Sequence, residues 1–273
     1  MNWNVYLPIA GNSVNILLLL GLGGLVGFLS GLFGVGGGFL MTPLLMMVGI
    51  PPVVAAASDS NQIVAASTSA TYAHYRMGNV DFKMGIILLV GGVLGGTFGV
   101  QLIKILRSLG NADFVIKVTY VVMLGVVGSY MFMESLQSLR KVSAYKGKEE
   151  PAKPSLYARA IRSLPWQMSF PKSGVTLSPV LPLILGIFVG VLAAIMGVGG
   201  GFIMVPIMVY LLRMPMHVVV GTSLFQILFT CINVTVMQAM ANHTVDIILA
   251  VLLLLGSTVG AQFGARMSQR LKG

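Results

Sequence analysis

The sequence predicts an all-α protein: a polytopic transmembrane helical bundle of two internal repeats, inverted in the membrane, each with a glycine-broken helix. Three observations carry this reading. Of 273 residues, 56% are hydrophobic and only 9% charged, with a mean hydropathy of +0.91, whereas a soluble domain carries roughly 25% charged residues. Apolar runs of about 20 residues recur, the length a helix needs to cross a hydrocarbon core of roughly 30 Å. A glycine-rich motif also occurs twice. This composition excludes a soluble enzyme, a disulfide scaffold and a nucleic-acid-binding domain.

The apolar segments fall at 14–50, 53–75, 85–107, 114–134, 180–213, 216–240 and 246–267. They divide into a first transmembrane repeat, 1–135, a basic cytoplasmic linker, 136–178, and a second repeat, 179–273. The linker holds Arg140, Lys141, Lys146, Lys148, Lys153, Arg159, Arg162 and Lys172, eight of the chain's 17 basic residues, and is broken by prolines. Basic residues gathered in one loop mark the cytoplasmic side, so the net charge of +10 needs no nucleic acid to explain it. The first basic residue is Arg76. That leaves no basic start for a secretory signal and places the N-terminus away from the cytoplasm.

Residues 34–43 read G-V-G-G-G-F-L-M-T-P and residues 197–206 read G-V-G-G-G-F-I-M-V-P, eight identities in ten at an offset of 163. Gln62-Ile63 recurs as Gln226-Ile227, Val80-Asp81 as Val245-Asp246, and Gly95, Phe98 and Gly99 as Gly260, Phe263 and Gly264. Segment 114–134 has no counterpart. One helix over 14–50 would run about 55 Å at 1.5 Å per residue, so each half is expected to hold a spanning piece and a short re-entrant piece. Counting each broken segment as down and back puts the linker, Arg76, Lys83, Arg213 and the C-terminal Arg266, Arg270 and Lys272 on one face. That count inverts the halves. Counting single crossings would make them parallel and split the basic residues between faces, against the charge rule.

The glycines are of two kinds. Gly91, Gly92, Gly95, Gly96, Gly99, Gly256, Gly260 and Gly264 are spaced to let helices pack closely. The clusters Gly34, Gly36, Gly37, Gly38 and Gly197, Gly199, Gly200, Gly201 are too dense for a stable helix. An unwound turn in a membrane leaves N–H groups bare unless protein or a polar cavity meets them, and the start of the next helix adds a positive dipole. A small anion would satisfy both without a basic side chain, and none lies within 14–50 or 180–212. A methyl group at Gly37 or Gly200 is then expected to crowd that anion. A purely architectural turn is the alternative.

The paired G-V-G-G-G-F motifs, V-V-V-G-T-S-L-F-Q at 218–226 and G-N-V-D at 78–81 resemble the TauE/SafE family of sulfite exporters. The resemblance covers nearly the whole chain outside the linker. It implies a multi-pass protein of the cytoplasmic membrane that transports sulfite or organosulfonates, with export the expected direction. Gln62, Gln226, Thr222, Ser223 and Asn61 are then candidate hydrogen-bonding partners of the substrate. Asp59, in the polar run 57–62, is a candidate for proton coupling; capping the helix start after Pro51-Pro52 is its plainer alternative.

The remaining polar residues read more simply. Asp81 and Asp246 each precede an apolar run, as helix N-terminal carboxylates do. His74 and Arg76 suit interface anchoring, and the lone Cys231 suits a small buried hydrophobe. No spacing fits a metal site, a catalytic triad or a nucleotide loop, so no enzyme, metal or cofactor is expected. The expected function is secondary transport of a small anion held between the two broken helices. An anion channel and an uptake permease for another small anion are the alternatives. The lipid bilayer is the surrounding partner, and a homo-oligomer is compatible with the sequence.

Overall fold

Residues 3–33, 38–142 and 167–271 are described by the computed structural model. Strands β1 (Asn4–Leu7) and β2 (Asn12–Asn15) pair antiparallel, and α1 (Ile16–Phe33) and α2 (Gly38–Met47) follow. Gly34, Gly36 and Gly37 lie outside the described residues. The chain returns at the end of α2 to where it started, because Asn12 Nδ2 donates to Gly49 O at 2.6 Å. Helices α3 (Pro52–Arg76), α4 (Phe82–Ser108) and α5 (Ala112–Val142) follow through short turns. Proline fits the first position of α3 because its missing N–H would go unused there. The helix stops where Gly78, at φ +73°, lets the Asn79 N–H reach back to His74 O.

The stretch read as a loop between the halves is more ordered at both ends. Helix α5 continues to Val142, and β3 (Met168–Phe170) pairs with β4 (Val175–Leu177) in a second hairpin. Lys146, Lys148, Lys153, Arg159 and Arg162 lie outside the described residues. Helix α6 (Val180–Met196) leads to a turn, then α7 (Gly201–Pro206), which widens into a π-helical turn (Ile207–Leu211). Helices α8 (Met216–Asn242) and α9 (Ile247–Leu271) complete the chain.

Among the described residues, four helices are long and apolar enough to cross a membrane: α4, α5 from Ala112 to Tyr130, α8, and α9 from Ile247 to Gly264. Their outer faces expose Phe98, Val121, Val236 and Phe263, a surface suited to lipid. This is a membrane protein. Helix α3 is 25 residues long, yet it carries the polar run and its first part is enclosed, with every residue from Pro52 to Ser60 buried.

Two helix pairs lock backbone to backbone, α1 with α9 and α4 with α6. A methyl on Gly27 would fall on the Ser257 backbone, one on Gly95 on the Ile187 carbonyl, and one on Gly260 on the Gly24 carbonyl. Lipid offers no hydrophobic drive between helices, so such close approach is what holds them. Gly92 and Gly96 make room for side chains of α8 instead, Thr230 and Val234. Close packing, as read from the sequence, is the role of these glycines.

Each hairpin is clasped by an aspartate distant in sequence. Asp81 caps α4, with Oδ1 accepting from Met84 N at 3.2 Å, and its Oδ2 accepts from Ser173 N at 3.1 Å and Ser173 Oγ at 2.5 Å. Asp246 does the same for α9: Oδ1 accepts from Leu249 N at 3.2 Å, and Oδ2 from Ile9 N at 3.0 Å and Ala10 N at 3.4 Å. Their own N–H groups donate to a hydroxyl of the opposite half, Asp81 to Thr222 Oγ1 at 3.0 Å and Asp246 to Ser58 Oγ at 3.2 Å. Asp81→Ala should therefore cost about 2–4 kcal/mol, from a lost cap and unpaired buried donors. Asp246→Ala should cost a similar amount, and the two should add, since they share no partners. The thermal unfolding midpoint of the detergent-purified protein measures both.

Candidate functional site

The second motif copy is a run of left-handed glycines. Gly197, Gly199 and Gly200 have φ of +74°, +69° and +78°, a region side chains rarely adopt. Gly197 N–H still donates to Ala193 O at 2.8 Å. Among the described residues, the N–H groups of Val198, Gly199 and Gly200 find no acceptor. The turn is tightly enclosed: a methyl on Gly197 would land on the Ala56 carbonyl of α3, and one on Gly199 would lie 2.6 Å from Cys231 Sγ. A methyl on Gly200 would strike Val189 of α6. The crowding expected at Gly200 thus falls on the protein itself and not on space for an anion. Gly201 opens α7, and Gly38 opens α2 with its Cα face against Ile63.

Asp59 stands across from this turn. It is fully buried, two turns inside α3, so it does not cap that helix. Thr42 Oγ1 on α2 donates to its Oδ2 at 2.8 Å, while Oδ1 has no partner. The neighbouring Ser60 Oγ donates to Ala56 O at 3.1 Å and to Gly197 O at 3.2 Å, tying α3 to the turn. Tyr120 on α5 donates its hydroxyl to Met196 O, the last residue of α6, and lies beside Thr42 within electrostatic reach of Asp59. Phe39 and Phe202, equivalent positions of the two motif copies, stack with centroids 4.7 Å apart. Ile63, Ile227 and Cys231 pack together nearby.

Of the other expected residues, Asn61 and Gln62 share α3 with Asp59, and Thr222, Ser223 and Gln226 lie on α8. Thr222 accepts from Asp81, and Ser223 Oγ donates to Val220 O at 3.1 Å, so both serve the scaffold. Gln226 Nε2 donates to Thr230 Oγ1 at 3.0 Å above Gly92 of α4, leaving Oε1 unpartnered. Gln62 is buried with Oε1 unpartnered, and Asn61 is half-buried. Asn233 bridges to Val93 O and Thr97 Oγ1 across to α4.

Thr42 and Tyr120 were not among the residues singled out in the sequence. A signal for Thr42 existed. The two motif copies differ at Thr42 against Val205, and the following helices differ at Asp59 against Ser223. The two polar substitutions fall in the same half because the side chains bond each other. Tyr120 lies on the helix without a counterpart, and no pattern marks it.

Bare N–H groups in the turn after α6 and an unpartnered carboxyl oxygen inside α3 lie buried in a bundle with lipid-facing helices, so the class the fold defines is a polytopic membrane protein. The family model described as sulfite exporter TauE/SafE matches residues 19–273, and the chain belongs to that family. It is a membrane transporter and not an enzyme. The probable membrane transporter protein YunE of Bacillus subtilis (strain 168) is 26% identical over 270 residues, 94% of this chain and 89% of the relative. The probable membrane transporter protein MJ0441 of Methanocaldococcus jannaschii is 24% identical over 272 residues, 93% of this chain and 86% of the relative. Sulfite exporter TauE/SafE family protein 1 of Arabidopsis thaliana is 30% identical over 114 residues, 41% of this chain and 25% of the relative. No solved structure matches the chain.

Proposed function

We propose that the protein is a secondary transporter that exports a small sulfur-containing anion, sulfite or an organosulfonate, across the cytoplasmic membrane. The halves 1–135 and 179–273 act as inverted repeats whose glycine turns together hold the anion. The linker and the C-terminus then share the cytoplasmic face. The reciprocal clasps of Asp81 and Asp246 support the inversion, since Asp81 holds the hairpin that leads into the second half and Asp246 the hairpin that opens the first.

One observation carries the functional reading: the unpartnered Oδ1 of Asp59 is buried near a turn in which, among the described residues, the N–H groups of Val198, Gly199 and Gly200 have no acceptor. The N–H groups offer an oxyanion what it needs, and the carboxyl offers a place for a proton. A carboxylate beside the anion would repel it, so the site holds either the anion with the neutral acid or the carboxylate alone. Moving anion and proton together also avoids carrying net charge through hydrocarbon, where an isolated ion is very costly. Thermal stabilisation of the purified protein by sulfite, organosulfonates, sulfate and nitrate tests the reading. Sulfite or a sulfonate should raise the unfolding midpoint in a saturable way, and equal shifts from all four would count against it.

A further inference from the structure

We propose that the polar file along α3 from Ser60 to His74 is a buried path that takes up water and carries the small anion to the glycine turn from the linker end of the bundle. The proposal rests on the transport reading above but is tested without measuring transport. Ser67, Thr71 and His74 are spaced four and three residues apart, so they share one helix face with Ala56 and Ser60. That face meets the turn at Gly197. From Ser60 to His74 the file rises about 21 Å at 1.5 Å per residue. It ends at the turn where Asp81 holds Ser173 of the second hairpin.

Ser67 Oγ, Thr71 Oγ1 and His74 Nδ1 are each buried without a hydrogen-bond partner. Helical hydroxyls commonly bond back to the carbonyl four residues earlier, as Thr68 does to Val64 O at 2.7 Å. Ser67 and Thr71 do not. Buried polar groups of this kind call for water or a polar ligand.

The opposite end is built differently. The repeat offset of 164 carries Ser67, Thr71 and His74 to Cys231, Thr235 and Gln238 on α8. Thr235 is also unpartnered, but beyond it Gln238 forms a plug. Its Oε1 accepts from Asn242 Nδ2 at 2.6 Å and Thr244 Oγ1 at 3.3 Å, its Nε2 donates to Ala194 O at 3.4 Å, and Arg107 Nη1 donates to Asn242 O at 2.5 Å. The last of the equivalent positions is thus sealed by hydrogen bonds at Gln238, whereas His74 Nδ1 at the other end lacks a partner.

Single cysteines test this in a Cys231→Ala background: Ser67→Cys, Thr71→Cys and Thr235→Cys, with exposed Met77→Cys and Asn111→Cys marking the two ends. The probe is a membrane-impermeant, negatively charged alkylsulfonate methanethiosulfonate, added to vesicles of each orientation. Ser67→Cys and Thr71→Cys should react from the Met77 side, within about tenfold of that control, while Thr235→Cys stays inert from both sides. Silence at both 67 and 71 with a reactive Met77 control would overturn the path. So would reaction from the Asn111 side. The unsubstituted chain gives a second reading: carbethoxylation of His74 at a rate like that of exposed His217 supports the path, and an inert His74 contradicts it.

Discussion

Gly197→Ala should cost about 3 kcal/mol or more and lower the unfolding midpoint by about 10 °C, or leave too little folded protein to purify. Two effects add. The alanine must adopt φ +74°, at a cost of about 1 kcal/mol. Its methyl must also share space with the Ala56 carbonyl, and overpacking of that kind typically costs about 1–3 kcal/mol. No side chain can swing aside, because the obstacle is the backbone of α3, held at the same point by Ser60. Gly125→Ala is the matching control. A methyl there meets nothing within 4 Å, and alanine in a helix interior should stabilise by about 0.5–1 kcal/mol. Thermal unfolding of both purified variants in one detergent measures the contrast.

Asp59→Asn should give folded, inserted protein that has lost the response of transport to an imposed pH gradient. Asparagine keeps the size of the side chain and can accept the Thr42 hydroxyl, seen here at 2.8 Å, but it cannot take up or release a proton. Thr42→Val should have a smaller effect, since valine is what the second motif carries at Val205. It removes one hydrogen bond and leaves the acid in place. Transport in proteoliposomes at several pH values, with and without a gradient, separates the two. An Asp59→Asn protein with unchanged rate and pH dependence would assign the residue to packing alone.

What was legible in the sequence was what repeats or obeys local rules. Pairs such as Gly95 and Gly260 showed their packing role through spacing alone, and Asp81 and Asp246 showed theirs through position before an apolar run. The hairpins were not legible, because strands of three or four mixed residues carry no period. The one local signal the hairpins share is a turn, Pro8 to Gly11 and Pro171 to Gly174. The clasp of each aspartate on a hairpin distant in sequence is a tertiary fact that no local pattern encodes. Gln62 and Gln226 match by the sequence repeat, yet equivalence in sequence says nothing about direction. Gln226 points to α4, where Gly92 leaves room for it. Asp59 was recognisable because an acid in an apolar run is rare. Its partner Thr42 could have been found by asking which differences between the halves occur together.

Counterflow tests the central claim most directly, that a small sulfur-containing anion is carried by being bound. Proteoliposomes are loaded with unlabelled sulfite or an organosulfonate and diluted into a trace of the same anion in radiolabelled form. A carrier that binds its substrate must show transient uptake above the equilibrium level, saturating with concentration and competed by the related anion. Label that only equilibrates, at a rate linear in concentration, would contradict binding and carriage. The absence of any protein-dependent uptake with either anion would contradict the substrate class.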